Sequence, residues 1–139
     1  DAHGARLPIL MGNGLFVLAA LGFTVLGQHL SIIVILMLYI VFSIGRSMAF
    51  SNTMTNGLKE VTMAERADAN AIYNTGQQFA GSLGTTILAA LMSSVKSGQL
   101  SAARETAMGS QLAFGLVLVL GLVNFVLYRF VFKYQVTDK

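Results

Sequence analysis

Residues 7–26 read LPILMGNGLFVLAALGFTVL, a stretch whose only polar side chains are Asn13 and Thr24. An α-helix rises about 1.5 Å per residue, so about 20 apolar residues cross the ~30 Å hydrocarbon layer of a bilayer. Pro8 lies in the first turn of this stretch, where a missing backbone N–H costs little. The stretch therefore predicts a transmembrane helix, and it indicates that lipid rather than water surrounds this part of the chain.

The composition extends this prediction to the whole chain. Of its 139 residues, 55% are hydrophobic and 11% are charged, whereas an average soluble domain has about 25% charged residues. The net charge is +3, but the basic residues are scattered and form no patch with interleaved aromatic residues, which argues against nucleic-acid binding. The chain has no cysteine, which excludes disulfides and thiolate chemistry.

Three further apolar stretches complete a predicted set of four transmembrane helices in an all-α membrane protein. The predicted spans are residues 7–26, 32–55, 71–95 and 111–132, and the third is apolar mainly in its second half. The segments between and after the spans are expected to be polar loops or tails at 27–31, 56–70, 96–109 and 133–139. No low-complexity segment interrupts this order.

The distribution of basic residues predicts an orientation. Four spans place both ends of the chain and the 56–70 loop on one side of the membrane. That side has Arg6, Lys59, Arg66, Arg129, Lys133 and Lys139, and the other side has Lys96 and Arg104. Because cytoplasmic loops are enriched in Lys and Arg, we expect a multi-pass protein of the cell membrane with both termini of this chain and the 56–70 loop in the cytoplasm, and the 27–31 and 96–109 loops outside.

No pattern typical of an enzyme is present. The two histidines have no partner at metal-ligand spacing, and no serine lies in a G-x-S-x-G context. All six carboxylates lie in predicted loops or tails, so the spans offer no acid pair for proton transfer or hydrolysis. We therefore predict no catalytic residue, no metal site and no cofactor.

Arg46 lies within the second span, in LYIVFSIGRSMAFSNT at residues 38–53. At about 1.5 Å per residue it is about 22 Å from Ser31, in the cytoplasmic half of the predicted span. Two interpretations are open. The side chain either extends to the nearby membrane surface, helped by the polar residues that follow, or faces an aqueous pathway and pairs with an acid or an anionic substrate.

The remaining polar and small residues of the spans predict packing or a cavity. Amides that face lipid are costly, so possible cavity-lining residues are Asn52, Asn74, Gln77 and Gln78, with interhelical hydrogen bonds as the alternative. Asn13 and Asn124 are single amides in otherwise apolar spans, and each is expected to make one interhelical hydrogen bond. Small residues spaced by four allow helices to approach closely, which predicts helix packing at Gly76, Ala80, Gly81 and Gly84.

The order of these features resembles a known family. DAHGAR at residues 1–6, running into an apolar span, resembles the D-x-x-G-x-R core of a cytoplasmic loop motif of the major facilitator superfamily, with Asp1, Gly4 and Arg6 in the motif positions. Residues 43–87 are similar to the stretch that joins two late helices in the fourteen-span drug:proton antiporter branch, which comprises multidrug efflux proteins. The matching residues are Ala71, Asn74, Gln77, Gln78, Phe79, Gly81, Ser82 and Gly84.

The resemblance implies that the chain forms the last four spans of a six-helix C-terminal half, built from inverted repeats that rock against an N-terminal half. It also implies that Asp1, Gly4 and Arg6 form a gating loop motif. The partners would be the lipid bilayer, the missing N-terminal part of the same transporter, a small-molecule substrate and protons. The expected activity is proton-coupled export of drugs or other small amphipathic compounds.

Two other functions fit the same spans. The first is a complete four-span small multidrug exporter that works as a dimer. Exporters of this kind look as if they need a carboxylate in the first span, and residues 7–26 have none. The second is a membrane subunit that does not transport.

Overall fold

The computed structural model describes residues 6–27, 29–96, 98 and 100–137. Within these residues the secondary structure consists of four α-helices, α1 (Arg6–Leu26), α2 (Ile32–Lys59), α3 (Arg66–Ser94) and α4 (Ala102–Thr137). The prediction of an all-α membrane protein with four long helices is confirmed. A short connection links α1 to α2, and these two helices pack along one another, whereas α3 has few contacts with α2.

Local sequence explains where α2 begins. Ser31 is the N-cap residue, with extended backbone angles, and its side chain accepts a hydrogen bond from the backbone N–H of Val34. Serine at this position satisfies a donor that the first turn of the helix leaves free. The chain can therefore end α1 and start α2 within a few residues, which brings the two helices side by side.

α1 is the central helix of the described structure. Its buried residues lie along one face, as expected for a helix stripe that contacts other helices; they are Ile9, Gly12, Asn13, Ala19, Ala20 and Phe23. α2 and α4 both pack against this helix. The core therefore follows α1, and its small residues let the neighbouring helices come close.

α1 and α2 approach each other closely at Gly12 of α1 and Gly45 of α2. A Cβ atom on Gly45 would stand 2.6 Å from the backbone nitrogen of Phe16 and 2.7 Å from the carbonyl oxygen of Gly12. A Cβ on Gly12 would stand 2.6 Å from the backbone nitrogen of Ala49. Backbone atoms cannot move aside as the end of a side chain can, so only glycine fits at either position.

Aromatic rings fill the space beyond this crossing. Phe16 of α1 lies 4.7 Å from Phe42 of α2, and Phe23 of α1 stacks on Phe114 of α4 at 4.3 Å between ring centroids. Phe42 and Phe114 meet edge to face at 6.5 Å, an arrangement that aromatic pairs favour. α2 and α4 are thereby joined through side chains across the face of α1.

α3 is packed differently from α1. None of its residues, Arg66 to Ser94, is buried. It touches α4 near its C-terminal end, where a Cβ on Gly109 would stand 2.9 Å from the carbonyl oxygen of Met92, and it touches α2 where the Tyr73 hydroxyl lies against Gly57. Most of its length is therefore uncovered in the described structure.

Three of the helices are long and apolar enough to cross a membrane: α1, α2 and α4 over Ala102–Lys133. α3 does not reach this level of hydrophobicity because its first half contains Asn70, Asn74, Gln77 and Gln78. The chain is therefore a multi-pass membrane protein with three clear candidate spans, and the fourth predicted span stays a prediction.

The helices are longer than the predicted spans, because an α-helix continues through polar residues that no apolar count includes. α4 begins at Ala102, inside the loop predicted for 96–109, where the amides of Arg104 and Glu105 bond to the carbonyl of Ser101. Glu105 is 7% exposed and accepts a hydrogen bond of 2.7 Å from the amide of Gly98. The expectation that every carboxylate lies in a loop or tail is thus wrong for Glu105, and also for Asp68, which lies in the first turn of α3.

Candidate functional site

A cavity of about 190 Å³ lies where α1, α2 and α4 meet. We call it the polar cavity because five of its lining side chains carry hydrogen-bonding groups in helices that are otherwise apolar. Those five are Asn13, Arg46, Thr53, Asn124 and Tyr128, and Phe16, Ala49 and Phe50 complete the wall. The polar side chains come from the N-terminal half of α1 and from the C-terminal halves of α2 and α4, so they share one level of the bundle.

Asn13 and Asn124 form one side of the polar cavity. The amide nitrogen of Asn124 donates to the amide oxygen of Asn13 at 3.0 Å, and the amide nitrogen of Asn13 donates to the carbonyl of Ile9 at 3.1 Å. Asn13 is only 2% exposed, where an amide without partners would be costly. The prediction that each of these amides makes an interhelical hydrogen bond is confirmed, and the structure shows that they bond to each other.

Thr53 and Tyr128 join α2 to α4 on the side of the cavity nearer the end of α2. Their hydroxyl groups are 2.8 Å apart, and one donates to the other. The Tyr128 ring also stacks on Phe132 one turn further along α4, with 6.0 Å between centroids. The two hydroxyls are therefore held in fixed positions at the cavity wall.

Arg46 is the charged group of this cavity. It follows Gly45, whose backbone is pressed against α1, so the crossing of α1 and α2 fixes where the side chain starts. Arg46 is exposed, and within the described residues it has neither a hydrogen bond nor an ion pair. The structure places Arg46 in the wall of an interhelical cavity; whether its side chain extends to the membrane surface or serves a pathway stays open.

A second, apolar space adjoins the polar cavity. This apolar groove has a volume of about 440 Å³ and lies between α1, α3 and α4. Its walls are Phe16, Gly84, Ile87, Leu88, Leu116, Val117, Leu120, Gly121 and Asn124. Phe16 and Asn124 belong to both walls. The two spaces therefore form a charged, hydrogen-bonding compartment next to an apolar one.

The other predicted cavity residues lie elsewhere. Asn52 donates to the carbonyl of Met48 within α2 at 2.7 Å, and Asn74 donates to the carbonyl of Asn70 within α3 at 2.9 Å. Gln77 and Gln78 are exposed on α3. The walls of the polar cavity and the apolar groove include none of these four, so their role as cavity-lining residues stays a prediction.

The glycines of the predicted packing row on α3 face open space in the described structure. No atom of a neighbouring element lies within 4 Å of where a Cβ would stand on Gly76, Gly81 or Gly84, and Ala80 is exposed. Gly84 is half-buried at the edge of the apolar groove. Their helix packing therefore needs a partner beyond the described residues, and it stays a prediction.

The gating loop motif lies mostly outside the described residues. Asp1 and Gly4 are not described, and Arg6 is the exposed first residue of α1.

Sequence patterns alone did not single out three residues of the site. Thr53, Phe16 and Tyr128 are ordinary residues of apolar spans, and only the pairing of helices brings them together. One signal was available for the neighbouring helix crossing: Gly45 and Ala49 are small residues spaced by four on the same helix as Arg46, which is typical of close helix contacts.

Comparison with known proteins finds relatives among transport and resistance proteins. The chain is 36% identical over 109 residues to the lincomycin resistance protein LmrB of Listeria innocua, which covers 78% of this chain and 22% of that protein. LmrB of Listeria monocytogenes gives the same identity and coverage. The uncharacterized MFS-type transporter YcnB of Bacillus subtilis is 30% identical over 129 residues, 91% of this chain and 27% of its own length.

The chain thus spans about a quarter of the length of these relatives. No protein-family model matches the chain, and no solved structure matches it at a significant level. The relatives agree with the predicted similarity to major facilitator proteins; the fourteen-span branch stays a prediction.

Proposed function

We propose that the chain is part of a major facilitator superfamily transporter that exports drugs or other small amphipathic compounds. The observation that carries the proposal is the polar cavity around Arg46, Asn13 and Asn124, with the apolar groove beside it, inside a bundle of apolar helices. Ligand sites are typically concave and mostly apolar, with a few placed polar groups. Similarity to a lincomycin resistance protein and to an MFS-type transporter supports the same function.

In this proposal the chain supplies the last four spans of a C-terminal half, and the N-terminal part of the same transporter packs against it. α3 then crosses the membrane as the third of these spans, with its amides covered by protein or water rather than lipid. The termini of the chain and the connection between α2 and α3 face the cytoplasm of the cell. Asp1, Gly4 and Arg6 act as a gating motif at the start of α1.

Export is proposed to be driven by proton exchange. We expect that cells producing the complete protein accumulate less of a lipophilic dye, or of lincomycin, than cells without it. A protonophore should abolish the difference, since it removes the driving gradient. Unchanged accumulation in producing cells would contradict export itself, whereas export that survives the protonophore would contradict proton exchange only.

Arg46 is proposed to serve the transport pathway rather than only to extend to the membrane surface. Its position in the wall of the polar cavity supports this role. The test is to replace it by lysine and by alanine in the complete protein. A pathway role predicts that the alanine variant reaches normal membrane levels but loses transport. Normal transport in both variants, with reduced yield of the alanine variant, would instead indicate a side chain that only reaches the surface.

Asn52, Asn74, Gln77 and Gln78 are proposed to line the complete pathway, with Gly76, Ala80, Gly81 and Gly84 packing α3 against the rest of the transporter. Since this chain has no cysteine, single cysteines can be introduced without a background from it. We expect Gln77→Cys and Gln78→Cys to react with a membrane-impermeant maleimide, because maleimides react in water. Ala20→Cys is the matched control on α1, where the native side chain is 0% exposed, and it should stay unlabelled.

A further inference from the structure

The polar cavity contains a cationic side chain beside polar groups that already bond to one another. The amide oxygen of Asn13 accepts a hydrogen bond from Asn124, and the hydroxyls of Thr53 and Tyr128 share one hydrogen bond, which leaves one O–H donor between them. A guanidinium has five N–H donors and no acceptor, and Arg46 uses none of them within the described residues. The cavity is therefore prepared for a group that accepts several hydrogen bonds.

The charge of the cavity has one sign. No aspartate or glutamate is among the residues that line it, and the described carboxylates lie at the connection of α2 and α3 or at the helix starts that follow. A charged side chain in an apolar span is costly unless it has a partner or reaches water. A negative partner offsets this cost through charge-assisted hydrogen bonds, so the cavity favours an anionic group over a neutral or cationic one.

The adjoining apolar groove favours a ligand whose anionic head carries an apolar body. An engineered apolar cavity of about 150 Å³ binds benzene, so spaces of about 190 and 440 Å³ accommodate a small head group and a larger apolar body. Both spaces share the walls formed by Phe16 and Asn124. A single molecule can therefore have its head beside Arg46 and its body along Leu116 and Leu120.

We infer that this site binds small amphiphilic organic anions, with the anionic head on Arg46 and the apolar body in the groove. The inference rests on the proposed function, and it names the substrate class of the same site. Arg46 in the polar cavity would select ligands by the charge of the head, and the apolar residues of the groove would select them by the length of the apolar chain.

The test is equilibrium binding to the complete protein in phosphatidylcholine nanodiscs, with two radiolabelled probes that share an apolar chain. Decanesulfonate stays ionised at every working pH, and decyltrimethylammonium carries the opposite charge. We expect saturable binding of decanesulfonate that Arg46→Gln weakens about tenfold or more, since a charge-assisted hydrogen bond is lost. Binding of decyltrimethylammonium should stay unchanged or improve. Arg129→Gln, which changes an exposed arginine of α4 outside both walls, is the matched control and should change neither.

The groove is tested with a second matched pair. Leu120 lines the groove and is 59% exposed, whereas Leu127 on the same helix is 57% exposed and lines neither space. Leu120→Ala should weaken binding of both probes about threefold to tenfold, because it removes apolar contact with the chain and leaves the head untouched. Leu127→Ala should have no effect.

Three outcomes would overturn the inference. Arg46→Gln could leave decanesulfonate binding unchanged, or it could weaken both probes equally, which would indicate a structural effect. Nanodiscs rich in phosphatidylglycerol could abolish decanesulfonate binding, which would identify a bilayer lipid as the occupant.

The binding measurement uses no cells and no proton gradient, so its result is independent of the export assay. Drug export without Arg46-dependent binding would refute the inference alone, and binding without export would refute the proposed function alone.

Discussion

α1 and α3 both have small residues at helical spacing, yet they are packed in opposite ways. On α1, Gly12 lies against the backbone of α2 at Gly45 and Ala49, and six residues of the helix are buried. On α3, Gly76, Gly81 and Gly84 face open space, and no residue is buried. Spacing therefore shows which face of a helix can approach another helix, but the identity of the partner depends on the rest of the protein.

The difference also explains where the site lies. The crossing of α1 with α2 fixes the backbone at Gly45, and Arg46 follows it directly, so the charged group of the polar cavity stands next to a close helix contact. α3 adds one wall of the apolar groove, through Gly84, Ile87 and Leu88. The closely packed helices α1 and α2 thus position the guanidinium of Arg46, and α3, which is less covered, borders the apolar groove.

The largest expected effect comes from filling the crossing on α1. In Gly12→Ala the new Cβ would stand 2.6 Å from the backbone nitrogen of Ala49 and 2.8 Å from the carbonyl oxygen of Gly45. Overpacking typically costs about 1–3 kcal/mol, and we expect at least the upper end because backbone rather than side-chain atoms must shift. The measurement is thermal unfolding of the purified complete protein in detergent.

Gly14→Ala is the matched control for this substitution. It lies on the same helix, and no neighbouring atom is within 4 Å of its Cβ position. The change should be neutral or should stabilise by up to about 1 kcal/mol, because alanine favours a helix more than glycine does. Equal losses from Gly12→Ala and Gly14→Ala would show that the crossing does not determine the cost.

A smaller effect is expected on α3, and it tests the proposal that other parts of a transporter cover this helix. If the proposed packing holds, Gly81→Val destabilises the complete protein by about 1–2 kcal/mol through overpacking, although the described helices leave the position open. The measurement is again thermal unfolding, with Gly14→Val as the comparison on α1. No loss of stability from Gly81→Val would contradict the proposed packing role of Gly81.

The hydrogen bond between Asn13 and Asn124 is expected to contribute less. Interhelical hydrogen bonds in membrane proteins average about 0.6 kcal/mol and reach about 1.7 kcal/mol. In a double-mutant cycle of Asn13→Leu and Asn124→Leu, we expect a coupling energy in this range, measured from the free energies of unfolding. Coupling near zero would mean that the two amides bond independently to other groups in the complete protein.

Much of the fold could be predicted from apolar runs, because a bilayer requires long helices whose backbone groups are satisfied internally. The helix ends could not be predicted, since α4 begins at Ala102 and so includes residues 102–109 of the loop that hydropathy predicts. At the site, Arg46 was predicted from its charge alone, and Asn13 and Asn124 from the cost of amides in lipid. Thr53 and Tyr128 could not be predicted, because their meeting depends on the register of α2 against α4, which neither helix encodes by itself.

The smallest expected effect is at the start of α3, the less packed helix. The Glu65 carboxylate accepts hydrogen bonds from the Thr62 hydroxyl at 2.7 Å and from the Thr62 amide at 3.2 Å. These bonds, the hydroxyl first, hold the pKa of Glu65 below its ordinary value of 4.5. Because the pKa is lowered in the folded state, the stabilisation is fully present above pH 4.5 and is lost as the pH falls through the lowered pKa.

Hydrogen exchange of the first amides of α3 measures this contribution. At neutral pH we expect slightly faster exchange in Thr62→Val than in the wild type, after correction for the intrinsic exchange rate, since valine keeps the shape but removes the hydroxyl donor. The two proteins should converge once the pH is low enough to protonate Glu65. Thr62→Ser keeps the donor and should follow the wild type at every pH. A difference between Thr62→Val and the wild type that persists in acid would show that the threonine methyl group, not the carboxylate bond, orders this end of the helix.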